Sequence, residues 1–458
     1  MSAKGMETIN PATGKSIKNY PLMSDDEVGG IITRADAAFD AWRRTGFAER
    51  SRLMHRAAEV LRTNSERYAL QMTEEMGKPI KQARGEIEKC AWTCDYFADN
   101  AEAFLAPQTV ETEASKSFVT FQPLGVVFAI MPWNFPFWQV IRFAAPHLMA
   151  GNAGILKHSP NVTGCALSLE EVFREAGFPK DLFRTVIIDT DQAAKVIQHD
   201  LVRAVTLTGS VGAGRAVAAE AGKVLKKAVL ELGGSDAYVV LEDADIEAAA
   251  RSCVAGRMIN SGQSCIAAKR FVVVDAIRAQ FEKVVAEEIA AEKMGAPTDE
   301  GNTIGPMARA DLREQLHRQV EQSVAAGARC VLGGKLPDGA GFYYPPTLLT
   351  NVTKGMPAYS EELFGPVAVI ISARDEADAI RIANDTSFGL GSAVFTRDIE
   401  RGTRLATSEI HAGACFVNDF VRSDPRLPFG GIKNSGYGRE LSAFGIREFV
   451  NIKTVQVK

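Results

Sequence analysis

The chain has 458 residues, is 46% hydrophobic and carries a formal net charge of −4. This length exceeds the size at which a single hydrophobic core stops growing, so we expect at least two lobes. Because the charge is nearly balanced and the basic residues are dispersed, a nucleic acid is not an expected partner.

The compartment is predicted from the start of the chain, the longest apolar runs and the use of cysteine. Residues 1–5 lead directly into polar residues without an apolar signal core, and no apolar run is long enough to span a bilayer. The seven cysteines are odd in number and scattered, which favours reduced thiols over a disulfide framework. Cys90 and Cys94 share a predicted helical face, but no Cys-x-x-Cys occurs and the six histidines are dispersed. We therefore expect a cytoplasmic protein with no membrane contact and no metal.

The first part of the chain is predicted to be mostly helical scaffold. Residues 6–22 form an extended segment with a turn cluster at 10–14. Ser24 and Glu27 form a capping-box signature at the start of a helix. More helix is predicted from about 48 to 104, with breaks near Asn64-Ser65 and at Gly77-Lys78-Pro79. Residues 109–122 are polar, β-branched and extended.

Strands and helices then alternate, beginning with a short apolar strand at 126–131. Further strands are predicted near 154–157, 185–188 and 204–207, with helices at 162–176 and 191–198. After Glu231, a second series has strands near 237–240, 271–274, 368–371, 392–395 and 415–417, and helices near 276–292 and 309–326. This alternation predicts an α/β protein with two doubly wound parallel lobes, which bind ligands at the carboxyl ends of their strands.

A candidate nucleophile, Cys265, follows a small Ser-Gly turn and precedes the basic pair Lys269-Arg270. Most free cysteines only fill core space, so its position alone leaves a structural role open. Glu231 closes an apolar run ahead of two glycines, and Asn134 lies between two prolines after a predicted strand. The chain thus supplies a possible nucleophile, a possible base and a possible oxyanion donor.

A candidate phosphate-binding turn occupies residues 207–215, between a β-branched strand and an alanine-rich helix. Glycines at such a junction let a pyrophosphate reach backbone N–H groups at the positive end of the helix. The run has neither the ending of a P-loop nor a regular Gly-x-Gly-x-x-Gly. Taken alone, it is equally typical of a tight strand-to-helix turn.

These motifs, in this order, resemble the aldehyde dehydrogenase superfamily from Asn10 to Val455. The matching stretches are 132–136, Lys157, 208–210, 231–234, 262–265, 362–366 and 428–431. The resemblance implies NAD(P)-dependent oxidation of an aldehyde to a carboxylic acid through a cysteine thiohemiacetal and thioester. It also implies a cofactor-binding domain at 1–108 and 124–231, a catalytic domain at 232–440, and β segments at 109–123 and 441–458 that join a homodimer or homotetramer.

The resemblance assigns roles to individual residues. Cys265 is the expected nucleophile, Glu231 the expected base, and Asn134 the expected oxyanion donor together with the Cys265 N–H. Glu440 is a possible assisting carboxylate. The expected cofactor-binding residues are Trp133, Lys157, Ser159, Pro160, Gly209, Ser210, Leu232, Glu362 and Phe364.

Cofactor preference is predicted from the position three residues after Lys157. Many NAD-preferring relatives carry a glutamate there, which accepts the ribose hydroxyls, whereas this chain has Pro160. Nothing in the run 157–160 repels a 2′-phosphate. We therefore expect NADP to be used at least as well as NAD.

Substrate choice is predicted chiefly from Arg142, which lies near the side of Asn134 if 135–148 is helical. An arginine there can pair with a substrate carboxylate, and the position matches an arginine of succinate-semialdehyde dehydrogenases, whose shorter bacterial members this chain most resembles. Ile259 departs from those subfamily members that carry a second arginine at that position. Additional expected substrate contacts are Phe135, Arg422, Ser423 and Arg426.

Several alternatives stay open. Arg142 could be a structural ion-pair partner, and the substrate could be another small aliphatic aldehyde. Cys265 and Glu231 could also serve an acyltransferase or esterase without hydride transfer, or the fold could persist in a binding protein that has lost turnover.

Overall fold

In the computed structural model, which describes residues 5–458, the chain forms two α/β lobes and a small β arm. The helices are α1 Asp25–Trp42, α2 Phe47–Thr63, α3 Ser65–Met76, α4 Ile80–Phe104, α5 Trp138–Met149, α6 Thr163–Glu175, α7 Thr190–Gln198, α8 Val211–Lys223, α9 Ile246–Met258, α10 Asp275–Ala290, α11 Ala310–Ala325, α12 Pro357–Ser360, α13 Glu376–Asn384, α14 Ile399–Arg404 and α15 Ser442–Ile446. Short single-turn helices lie at Pro160–Val162, Ile259–Gly262, Leu405–Glu409 and Lys433–Ser435.

The first two strands form an antiparallel pair of their own, and the others form the three sheets described below. The strands are β1 Gly5–Asn10, β2 Lys15–Pro21, β3 Gln108–Thr109, β4 Lys116–Pro123, β5 Val126–Met131, β6 Ala153–His158, β7 Phe183–Thr185, β8 Val202–Thr208, β9 Lys227–Glu231, β10 Asp236–Val240, β11 Ala268–Val274, β12 Arg329–Leu332, β13 Thr347–Thr350, β14 Val367–Ala373, β15 Gly391–Phe395, β16 Ala414–Val417, β17 Gly436–Tyr437 and β18 Val450–Val457.

The first lobe is built on a sheet with the order β17-β9-β8-β5-β6-β7. All its strands are parallel except β17, which pairs antiparallel with β9 at one edge. β5 and β6 are buried along most of their length, as expected for a parallel sheet covered by helices on both faces. One hydrophobic core joins this sheet to α1 through α6.

The second lobe is built on a sheet with the order β12-β13-β14-β11-β10-β15-β16. It is parallel except at the edge, where β12 pairs antiparallel with β13. Separate hydrophobic clusters cover its two faces. The predicted doubly wound architecture is confirmed for both lobes, which meet where the carboxyl end of β9 leads into the amino end of β10.

The predicted helical scaffold is confirmed. Ser24 accepts a hydrogen bond from the Glu27 N–H, and the Glu27 side chain bonds back to Ser24, so the capping box forms at the start of α1. The predicted breaks separate α2, α3 and α4. Gly77 ends α3 with a left-handed φ of 79°, a conformation that favours glycine. No helix among residues 5–458 is both long enough and apolar enough to cross a bilayer.

The small arm is a sheet with the order β18-β4-β3. β18 runs antiparallel to β4 from Val450, opposite Pro123, to Val457, opposite Lys116. The prediction that the last residues of the chain lie beside the extended segment at 109–122 is therefore confirmed. That segment is shorter than predicted, because residues 110–115 bend away before β4 begins.

Three boundaries differ from the sequence predictions. The strand predicted at 185–188 ends at Thr185, because the Ile187 carbonyl accepts from the Met23 N–H rather than continuing along β6. The helix predicted from 135 begins at Trp138, since a proline at 136 disfavours helical backbone at the residue before it. Gly436–Tyr437, within the segment predicted as catalytic domain, adds a strand to the first sheet.

Candidate active site

Two cavities meet at Cys265, between the lobes. The larger, of about 470 Å³, is lined at the carboxyl ends of β5, β8 and β9 by Pro132, Trp133, Asn134, Thr208, Gly209, Ser210, Leu232 and Gly233, and from the second lobe by Glu362 and Phe364 among others. The smaller, of about 290 Å³, is lined by Lys78, Gln82, Gly85, Glu86, Lys89, Phe135, Trp138, Gln139, Arg142, Ile259, Ser264, Cys265, Ile266, Phe420, Val421, Arg422, Ser423 and Phe429. Cys265 and Gln139 line both cavities.

A strained turn presents Cys265 to these cavities. Asn260, Ser261 and Gly262 all have left-handed backbone, with φ of 54°, 55° and 72°. Non-glycine residues rarely adopt this conformation, and they hold it where the surrounding structure fixes the chain. A side chain at Gly262 would clash with the Gly365 carbonyl, so the turn is pressed against the loop that carries Phe364.

Hydrogen bonds hold the two strained residues in place. The Asn260 N–H donates to Gln82 (2.7 Å), and its side-chain amide donates to the Asn134 carbonyl (2.7 Å). Ser261 exchanges hydrogen bonds with the Gly305 backbone, donating through Oγ (3.2 Å) and accepting from its N–H (2.9 Å). These contacts tie the turn to α4, to the Asn134 segment and to the second lobe at once.

The Cys265 thiol is partly exposed to the cavities, but burial of the surrounding site raises its pKa to about 12. The positive charges of Lys269 and Arg142 act in the opposite direction. Lys269 donates to the carbonyls of Ser264 (2.8 Å) and Cys265 (2.6 Å) and lies 3.4 Å from Glu362. A thiolate is the reactive form, so this lysine is placed to favour it.

Asn134 lies beside the cysteine turn. Its amide nitrogen donates to the Gln263 carbonyl (3.1 Å), two residues before Cys265. The Cys265 N–H has no backbone acceptor among the residues that the structure describes. Asn134 and Cys265 both line the larger cavity, so the two groups predicted to stabilise an oxyanion belong to the same site.

Glu231 ends β9 and is only 2% exposed. Its carboxylate lines neither cavity and lies beside Gly430, where an added side chain would be 2.7 Å from Oε1. Burial, followed by the negative charge of Glu440, raises the pKa of Glu231 well above its ordinary value. The environment of Glu231 therefore favours the neutral form of its carboxyl group more than water does.

Arg142 is buried and forms an ion pair with Glu440. Its guanidinium also donates to the Thr208 hydroxyl (3.3 Å) and lies 4.6 Å from the centre of the Phe429 ring. One side of Arg142 still lines the smaller cavity. The contacts favour the structural alternative that the sequence left open.

The predicted cofactor residues fall into two groups. Gly209 and Ser210 immediately precede α8, and Ser210 caps the helix by accepting from the Ala213 N–H (3.2 Å). Trp133 and Phe364 form an edge-to-face pair across the mouth of the larger cavity, with ring centres 5.8 Å apart. A second group lies at the end of β6, outside the lining of this cavity: Lys157, Ser159 and Pro160.

The predicted substrate residues divide in the same way. Phe135, Arg422 and Ser423 line the smaller cavity, as Ile259 does. Arg426 lies outside it, largely exposed, with its guanidinium paired to Asp424 (2.8 Å at Nε). Its expected contact with the substrate is therefore not supported, because the nearby aspartate already holds the charge.

Known proteins are similar to this chain over nearly its whole length. A family model described as the aldehyde dehydrogenase family matches residues 1–455. The chain belongs to the aldehyde dehydrogenase family. It is 48% identical to a probable succinate-semialdehyde dehydrogenase (NADP+) of Synechocystis, covering 98% of this chain and 99% of the relative. It is 47% identical to a succinate semialdehyde dehydrogenase (NAD(P)+) of Escherichia coli, covering 98% of this chain and 97% of the relative.

A solved structure agrees closely with the fold of this aldehyde dehydrogenase. The succinic semialdehyde dehydrogenase of Streptococcus pyogenes, determined with NADP+, superposes with a TM-score of 0.97 at 37% identity, covering 99% of each chain.

Sequence reasoning missed several residues at the site of this aldehyde dehydrogenase. Lys269 was noted only as part of a basic pair, and Gln82 and Lys89 lie on α4, which was predicted to be scaffold. The hydrophobic spacing of α4 gave no sign that polar residues of this helix line a cavity. Lys89 lies 176 positions before Cys265 in the sequence, yet both residues line the smaller cavity.

The Arg142 ion pair leads to a stability prediction for the enzyme. Arg142→Leu leaves the buried carboxylate of Glu440 without its cation, which is expected to cost about 3–5 kcal/mol. Thermal unfolding should therefore shift to lower temperature, and oxidation of charged and uncharged aldehydes should fall by the same factor. The double variant Arg142→Leu, Glu440→Leu removes both charges and should recover stability relative to Arg142→Leu. A stable single variant that loses only the charged aldehyde would show that Arg142 binds substrate.

Proposed function

We propose that the chain oxidises succinate semialdehyde to succinate with NADP or NAD, and that Cys265 carries the acyl group. The observation that supports this most is the position of Cys265, which lines both a cavity at a helix N-terminus and a second, cation-lined cavity. The first suits a dinucleotide and the second a small anionic aldehyde. The curated relatives with nearly full coverage carry the same activity in their names.

The residues of the larger cavity fit a nicotinamide dinucleotide. α8 directs the positive end of its dipole and its free N–H groups toward Gly209 and Ser210, a suitable place for a pyrophosphate. Glu362 accepts from the Gly234 N–H (2.9 Å) and is held beside Phe364, on the side of the cavity nearest Cys265. A cofactor held by these residues would supply the acceptor for the hydride that leaves the substrate carbon.

The chain's own residues perform the covalent steps. The thiolate of Cys265 adds to the aldehyde carbon, forming a C–S bond and placing the electron pair of the carbonyl on oxygen. The Asn134 amide and the Cys265 N–H donate to that oxyanion, and one such donor contributes roughly 3 kcal/mol. After oxidation the acyl group remains on Cys265 as a thioester. Glu231, rotated toward the cavity and deprotonated, takes a proton from the water that cleaves the C–S bond.

The smaller cavity supports the choice of substrate. Its volume of about 290 Å³ is at the low end for ligand pockets and suits a short chain. Phe135, Trp138 and Phe420 supply apolar walls for methylene groups, while lysine and arginine side chains supply positive charge at the same cavity.

Initial rates test this function. We expect reduced cofactor to form with succinate semialdehyde at a kcat/KM far above that for pentanal, an uncharged aldehyde of similar length. An esterase or acyltransferase would instead turn over an activated ester without forming reduced cofactor. Rapid oxidation of pentanal with poor use of the semialdehyde would move the assignment to a neutral aldehyde.

Cofactor preference has its own prediction. Pro160 follows β6, and no acidic residue occupies 158–160, so NADP should be used at an efficiency comparable to or better than that of NAD. Pro160→Glu places a carboxylate where it would repel a 2′-phosphate and accept ribose hydroxyls. The ratio of kcat/KM for NADP over NAD should then fall by about tenfold or more, which corresponds to a difference of about 1.4 kcal/mol between the two cofactors. Strict use of NAD by the parent enzyme would contradict this interpretation.

The proposal also covers the domain bounds, the oligomeric state and the location of the enzyme. We infer a cofactor-binding domain at 1–108 and 124–231 and a catalytic domain at 232–440, with the β18-β4-β3 arm joining subunits of a homodimer or homotetramer. The exposure of Ile452 (62%) and Val457 on β18 supports a partner at the arm. The free cysteines of the described chain support a reducing, cytoplasmic location.

A further inference from the structure

The cations of the smaller cavity are not equivalent. Four line it: Lys78, Lys89, Arg142 and Arg422. Lys78 forms an ion pair with Glu86, Arg142 with Glu440, and Arg422 with Asp419. Among residues 5–458, Lys89 alone of these four has no carboxylate within ion-pair distance. Its charge is therefore the one that remains available to a ligand.

The side chain of Lys89 is fixed toward the cavity. It lies on α4, where its ammonium donates to the Ser423 hydroxyl (2.8 Å) and sits 4.1 Å from the centre of the Trp138 ring. An ammonium has three donors, so donors remain for a ligand after the bond to Ser423. The aromatic face and the hydroxyl hold the long side chain in one place, which lowers the entropy lost when an anion binds.

The electrostatics of the cavity also favour an anion at this point. Burial lowers the pKa of Lys89 to about 8, and the nearby positive charge of Arg142 adds to the shift. Lys89 thus remains mostly charged at neutral pH; Glu86 and Asp424 act in the opposite direction, but neither lies within ion-pair distance of its ammonium. A bound carboxylate would supply a counter-charge and stabilise the ammonium.

We propose that Lys89, with Ser423, binds the carboxylate of the substrate and so determines the preference for an acidic aldehyde. This inference rests on the proposed function and adds a residue to it. The ammonium and the Ser423 hydroxyl bind the carboxylate, Trp138 and Phe420 contact the methylene groups, and the aldehyde carbon lies at Cys265. Arg142 keeps its role as the partner of Glu440.

The test compares Lys89→Met, which keeps the length of the side chain but removes its charge, with Lys81→Met. Lys81 is on the same helix and exposed, and does not line the cavity. Removing a partly buried charge partner should lower kcat/KM for succinate semialdehyde by at least about 30-fold, mainly through KM, with pentanal changed less than about threefold. Lys81→Met should match the wild type with both aldehydes.

The outcomes separate this inference from the proposed function. A wild-type enzyme that does not prefer the semialdehyde over pentanal would contradict the function itself. A wild type that prefers the semialdehyde, with Lys89→Met losing both aldehydes equally or neither, would overturn only the role of Lys89. If Lys89→Met does not fold, Lys89→Gln keeps a donor for Ser423 and is subject to the same comparison.

Discussion

Replacement of Cys265 by alanine is expected to lower aldehyde oxidation by at least about 10⁴-fold, because no other group at the junction of the cavities can form the acyl bond. Cofactor affinity should be nearly unchanged, since Gly209 and Ser210 at the start of α8 are untouched. Fluorescence titration with NADP and steady-state rates on the same preparation measure the two quantities separately.

The matched control for this variant is Cys330→Ala. Cys330 is an exposed free cysteine on the edge strand β12 and lines neither cavity, so its removal should leave turnover intact. Appreciable oxidation by Cys265→Ala would remove this thiol as the nucleophile, and a loss of activity in Cys330→Ala would point to a different sulfur.

The second large effect is expected for Glu231→Gln, which should lower the steady-state rate by about 10²–10⁴-fold. The glutamine cannot accept a proton from water, so the acyl group should remain on Cys265 after a first turnover. Rapid-mixing experiments should show an initial burst of reduced cofactor followed by a slow phase. Added hydroxylamine, which attacks a thioester without needing the base, should restore release of the acyl group.

The pH dependence of the same step provides a check on Glu231. Burial and Glu440 raise the pKa of Glu231, and only the deprotonated carboxylate can act as a base. Deacylation should therefore rise with pH, with its midpoint above the ordinary range of a glutamate, and this limb should disappear in Glu231→Gln. Wild-type steady-state rates in the variant would show that another group activates the water.

The sequence predicted much of the fold because local signals agreed with the long-range packing. The capping box at Ser24 and the breaks around Gly77 are read from neighbouring residues, and the structure confirms them. The alternation of strands and helices likewise predicts parallel sheets, because the helices that connect parallel strands cover the faces of the sheet. The predictions failed at segment ends such as Thr185, where a hydrogen bond from Met23, distant in sequence, replaced the sheet.

The three residues proposed as catalytic were found in the sequence for a different reason. Cys265, Glu231 and Asn134 each lie in a short motif with unusual glycines or prolines, and the family resemblance joins motifs that are far apart in sequence. The strained backbone at Asn260 and Ser261 left no such signal, since neither residue type requires a left-handed conformation.

Ion pairing within the site could not be predicted from the sequence. Arg142 and Glu440 are 298 positions apart, and nothing in either segment indicates that they meet. The sequence therefore assigned the substrate carboxylate to an arginine whose charge is already neutralised. Lys89 was overlooked because a lysine on an amphipathic helix is usually solvated, and only the fold shows that this one faces a cavity.

Intact-protein mass spectrometry of Glu231→Gln, quenched during turnover, tests most directly whether the chain is a cysteine-dependent succinate-semialdehyde dehydrogenase. With NADP and succinate semialdehyde both present, we expect a mass increase equal to one succinyl group, mapped by proteolysis to Cys265. The increase should be absent without cofactor and absent in Glu231→Gln that also carries Cys265→Ala. Formation of reduced cofactor without any acyl adduct, or an adduct on a different cysteine, would contradict the proposed mechanism.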